Sequence, residues 1–116
     1  MGDRSLRAWL AALALLGAVA HAGAGLIDSG PGLAVVFAVM AAACVPCAVH
    51  VWRHDSARAL LLMGVTAAAM VLVHLVLMAP AHGGHGSLAV LTVVESLVAA
   101  GVWYALRHRS RELEQS

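Results

Sequence analysis

Four apolar runs, at about 6–27, 33–52, 59–79 and 87–106, occupy most of this chain, with only short polar breaks between them. A run of that length, coiled at about 1.5 Å per residue, crosses a hydrocarbon core of about 30 Å. In water such stretches would have no polar face to turn outward. Only 11% of the residues are charged, against about 25% in a soluble domain. The expected fold is therefore an all-α integral membrane protein, a single transmembrane domain over residues 1–116. Short connections return each helix beside its predecessor, which gives a four-helix antiparallel transmembrane bundle.

The placement of charge orients the bundle. The chain has no lysine, and its arginines are Arg4, Arg7, Arg53, Arg58, Arg107, Arg109 and Arg111. All of them fall on one side if both termini are cytoplasmic, the arrangement expected of a multi-pass cell-membrane protein. Trp9, Trp52, Trp103 and Tyr104 fall at the same edge, where amphipathic rings favour the headgroup level. The arginines flank apolar runs and form no separate basic patch, so nucleic acid is not an expected partner. The bilayer is one, with a homo-oligomer or a larger membrane complex open beside it. The first run also has the form of a secretory signal: Arg4 and Arg7, an apolar core, then Ala18-Val19-Ala20 and Ala20-His21-Ala22 as small-x-small steps. Cleavage after residue 20 or 22 would leave three spans. The apolar character continues past both sites, so a retained helix is expected.

Turn composition separates the runs at Asp28-Ser29-Gly30-Pro31-Gly32, over 53–58, and at Ala81-His82-Gly83-Gly84-His85-Gly86. Pro46 is expected to kink or loosen the second helix, because it removes a backbone donor and crowds the preceding turn. The tail from Arg107 is expected to be a short, fraying helix end, and Asp55 and Arg58 to form a surface pair of little energetic weight.

The second and third runs carry soft ligands. At about 100° per residue, Met40, Cys44, Cys47 and His54 share one arc of their helix, and Met63, Met70, His74 and Met78 share another. Met is a common gap-filler in apolar cores and cysteine a common small buried residue. Thioether, thiolate and imidazole together select Cu(I) over harder cations. Weak, closely spaced sites are what conduction requires.

Ionisable groups give the most specific signal. His21, His74 and Glu95 sit on three different helices at one expected depth, about 7–10 Å below the face away from the arginines. A carboxylate in the bilayer normally faces the bundle interior and has a partner, so Glu95 is expected to accept from His21 or His74. Small residues on the His21 face, including Gly17 and Ala18, permit a close neighbour.

Three functions fit these residues. The first is binding or conduction of a soft transition metal, most readily Cu(I). In it His82, His85 and Met78 collect the ion, and His21, His74 and Glu95 form a first site. Met40, Met70, Met63, Cys44 and Cys47 then continue inward. The second is a non-enzymatic accessory subunit of a larger complex with a structural His/Glu cluster. The third is a haem-b electron carrier held by His21 and His74, without any Cys-x-x-Cys-His attachment motif. Cys44-Val45-Pro46-Cys47 in a four-span chain resembles membrane thiol oxidoreductases that reduce quinone. That pattern needs the pair near the outer edge and normally a second pair, and this chain has neither. Small multidrug exporters are similar in length and span count, but their essential carboxylate lies in the first helix and Glu95 lies in the fourth. No enzymatic activity is expected.

Overall fold

The computed structural model describes residues 2–27, 30–79 and 86–116, and within them the chain forms four helices. These are α1 (Asp3–Ile27), α2 (Pro31–Arg53), α3 (Ala57–Met78) and α4 (Gly86–Gln115). Local chemistry sets their ends. Gly30 is extended and Pro31 opens α2, where its missing N–H is no loss. Ser56 caps α3, its hydroxyl accepting from the Ala59 N–H at 3.1 Å. The turn between α2 and α3 is thus tighter than the composition of 53–58 suggests.

Helix α2 continues through Pro46 from Pro31 to Arg53; membrane helices tolerate an internal proline because neighbours and local adjustments satisfy the freed carbonyl. One expectation changes, that for the C-terminal tail. Helix α4 continues past 106 to Gln115. No proline or glycine follows Gly101, and His108 reaches Glu112 one turn on at 3.4 Å. The tail is a helical extension.

The helices pack as a ring, α1 on α2, α2 on α3, α3 on α4, and α4 back on α1. Asp55, in the α2–α3 turn, ties one end together. It bonds Arg109 of α4 and lies 3.8 Å from Arg7 of α1. Arg109 is thus its partner, where proximity in sequence suggested Arg58. The Arg109 guanidinium holds the Asp55 carboxyl below its ordinary pKa, with the charge of Arg7 adding to the effect. The start of α1, the α2–α3 turn and the end of α4 therefore share one end of the bundle. The exposed Trp9, Trp52 and Trp103 mark the same end.

All four helices are long and apolar enough to cross a membrane. The distribution of polarity agrees with that length. Large apolar side chains such as Val19, Val39, Leu61, Leu72 and Val93 point outward, whereas His21, His74 and Glu95 are buried. Water would penalise so extensive an apolar exterior, and hydrocarbon would not. Small residues bring the helices close. At Gly64 a Cβ would lie 2.8 Å from Val102 Cγ1, and a β-branched neighbour cannot swing aside.

The interior divides in two. Toward the arginine end, Leu10, Val51, Leu60, Met63, Val98 and Val102 pack with alanines into an apolar plug. Toward the other end, Ala18, Ala24, Phe37, Met40, Cys44, Met70 and Leu91 form a second cluster. The buried histidines and Glu95 lie in that second half.

Candidate metal centre

Every helix contributes to the second half. His21 comes from α1, Met40 and Cys44 from α2, Met70 and His74 from α3, and Glu95 from α4. The pairs Met40/Cys44 and Met70/His74 are four residues apart, which stacks them on one face of their helices. His21 and His74 are fully buried and Glu95 is 3% exposed. At the centre of a bilayer an ionised Asp costs about 2.5–3.5 kcal/mol on insertion scales, so partners are needed for a carboxylate such as Glu95.

The hydrogen bonds order the imidazoles. His21 Nδ1 lies 2.7 Å from the Gly17 carbonyl oxygen. A carbonyl only accepts, so Nδ1 carries the proton and, in the neutral ring, Nε2 presents its lone pair. His74 Nε2, 3.2 Å away, therefore donates to His21 Nε2. His74 Nδ1 is then left as a bare acceptor, buried and without a hydrogen-bond partner among the described residues.

Around this pair the ligand atoms converge. One ligand atom each from His21, Cys44 and Glu95 lie within 4.8 Å of one another, and all three residues are buried. Glu95 Oε1 is 3.9 Å from Cys44 Sγ, and it stands 4.0 Å from His21 Nδ1, the nitrogen whose proton goes to Gly17. Met70 Sδ lies 3.7 Å from Cys44 Sγ. Neighbouring donors on a tetrahedral ion, at bonds of about 2.0–2.3 Å, are about 3.3–3.8 Å apart. The sulfur–sulfur, sulfur–carboxylate and imidazole–imidazole contacts are all near that spacing. Gly17 makes the room: a Cβ there would stand 3.0 Å from Glu95 Oε1.

Other residues singled out in the sequence fall elsewhere. Met63 belongs to the apolar plug. Cys47 is half-buried, with Sγ 3.8 Å from the Thr66 hydroxyl, so the two cysteines face different partners. Met78 is half-buried at the end of α3. His50 and His54 are exposed, their rings 4.6 Å apart at the arginine end. His82 and His85 lie outside the described residues.

The residues do not fit a haem between His21 and His74. Two imidazoles on opposite faces of one iron, each at about 2 Å, stand about 4 Å apart with the porphyrin between them. Here the nitrogens touch at 3.2 Å and the rings stack with an interplanar angle of 26°. No plane remains for a macrocycle.

Two elements escaped the sequence pattern. One is the Gly17 carbonyl, whose signal is the i, i+4 spacing to His21. The other is the junction of Cys44 with Glu95, which no spacing along a single helix reveals. No family model, curated protein or solved structure matches the chain, so the functional reading stands on the site itself.

Proposed function

We propose that this is a small multi-pass membrane protein that binds a soft transition metal ion, most readily Cu(I), inside its bundle. The arginine-rich end would face the cytoplasm. One observation carries the reading: the buried convergence of His21, Cys44 and Glu95, with Met70 against the thiol. Thiolate and thioether favour Cu(I), while imidazole and carboxylate alone would suit harder ions. The Gly17 carbonyl fixes the His21 tautomer, as a backbone acceptor commonly does for a metal-bound histidine. His74 Nε2 lies beside His21 Nε2 and would become a further ligand once its proton moves to Nδ1. Binding is favoured over conduction because the plug of Leu10, Val51, Leu60 and Val102 offers an ion only Met63 within it and Cys47 at its edge, among the described residues.

Elemental analysis of the protein purified under reducing conditions tests this. Copper in stoichiometric amount, exceeding zinc when both are supplied, is the expected result. Glu95→Gln, equal in shape, should keep the fold and lose most of the copper. Background metal in the wild type would overturn the proposal.

A structural role is the second reading, and the contact that favours it is the His21–His74 hydrogen bond, which needs no ion. It predicts background metal throughout, with Glu95→Gln impairing assembly.

Gly17→Ala separates site from scaffold. Alanine improves helix propensity by about 0.8–1.0 kcal/mol, which offsets the push on Glu95, so the melting temperature should move little. The displaced carboxylate should weaken Cu(I) binding by about tenfold, the low end of effects from disturbing a ligand's supports. A competition titration against a chromophoric Cu(I) chelator reads this directly.

A further inference from the structure

The outer face of the α1–α2 pair carries two adjoining cavities that the metal site does not use. One, of about 480 Å³, is an apolar trough between the helices. Ala8, Ala11, Ala12 and Leu15 line it from α1, at the spacing of one helix face, and Ala48 and Val49 line it from α2. The other, of about 460 Å³, is lined by Arg4, Arg7, Arg53 and Asp55. Ala8, Trp52 and Arg53 border both, so the trough opens directly into the basic cavity.

Charge decides what this surface attracts. Three arginines face one carboxylate, and Asp55 is already bonded to Arg109 from outside the cavity. Arg7 Nε is buried and has no hydrogen-bond acceptor among the described residues; Asp55 stands 3.8 Å from it. The cavity thus has surplus positive charge. The trough runs away from it along the apolar exterior, starting at Trp52, which is 63% exposed at the level of the other rim aromatics. Tryptophan favours the headgroup region. A ligand that fills both parts must be anionic at the rim and a hydrocarbon chain beyond it.

We propose that the α1–α2 face is a binding site for an anionic phospholipid. Its phosphate would sit among Arg4, Arg7 and Arg53, and one acyl chain would lie in the alanine-lined trough. Basic pockets between membrane helices have this chemistry. The proposal is independent of the metal reading, since it shares no residue with that site.

Native mass spectrometry of the protein from micelles holding equal phosphatidylglycerol and phosphatidylcholine, with matched acyl chains, tests it. Phosphatidylglycerol adducts should dominate, by about fivefold for each arginine engaged. Arg4→Gln with Arg53→Gln, which leaves the Arg7–Asp55–Arg109 tie intact, should cut the preference to about the fivefold that Arg7 alone supplies. Ala12→Phe, an outward-facing change that fills the trough, should lower phosphatidylglycerol retention several-fold without loss of helicity. Inorganic phosphate should not displace the lipid. Equal retention of both lipids by the wild type would overturn the proposal. So would a preference undiminished by the double substitution, retention unaffected by Ala12→Phe, or displacement by phosphate, which would mark a simple anion pocket.

Discussion

Cys44→Ala is expected to lower Cu(I) affinity by about a hundredfold or more, while Cys47→Ala leaves it unchanged. The magnitude follows from sharing. A four-donor site of the structural zinc type is worth about 10–16 kcal/mol in all, or about 2.5–4 kcal/mol per ligand. At about 1.4 kcal/mol per decade that is two to three decades in the dissociation constant. The asymmetry follows from geometry. Cys44 Sγ lies against both Glu95 and Met70, whereas Cys47 Sγ faces the Thr66 hydroxyl. A Cys-x-x-Cys pair acting as one redox or metal unit would make the two substitutions equivalent. Equal losses in a chelator competition titration would therefore sink the site as drawn. Loss in Cys44→Ala alone would also exclude incidental copper on exposed thiols, because Cys47 is the more accessible of the two.

The sequence carried the bundle because hydrocarbon permits few alternatives. An apolar run long enough to span must satisfy its own backbone, so helix is the only local solution, and the arginines and tryptophans then mark one end. Helix ends were less legible. Ser56 fixes the start of α3 through a side-chain acceptor, but the extension of α4 depends on the absence of a stop signal. The level shared by His21, His74 and Glu95 was readable from rise per residue. The part played by Cys44 was not, since that measure places it deeper. Side chains lean toward the N-terminus of their own helix, and in antiparallel neighbours those leans are opposed. Cys44 on α2 and Met70 on α3 therefore tilt toward each other and meet at 3.7 Å. Counting along one axis treats Met63 and Met70 as rungs of a single ladder. Packing separates them, one into the apolar plug and the other beside the thiol.

In the metal-free protein, His21→Leu should be less stable than His74→Leu, and the double substitution should be at least as stable as wild type. Counting unpaired polar atoms gives this order. Within the imidazole pair the wild type has one, His74 Nδ1. His21→Leu removes the acceptor for the His74 Nε2–H and leaves two on the same ring. His74→Leu removes its own orphan but bares His21 Nε2, so the number is unchanged. The double variant has none, and leucine suits the apolar surroundings of Phe37, Met40 and Leu91. A buried polar atom left unsatisfied costs about 1–3 kcal/mol in proteins generally. Membrane hydrogen bonds average only about 0.6 kcal/mol, because the unfolded chain in lipid also finds partners. His21→Leu should therefore fall below wild type by an amount between those figures, and the second substitution should restore it. Unfolding in mixed micelles, with the four proteins compared in one series, measures the coupling. A double variant less stable than either single one would mean that the imidazole pair stabilises the bundle by itself. Adding Cu(I) should put the wild type first and the double variant last, because bound ligand stabilises the native state according to its affinity and the double variant has given up both imidazoles.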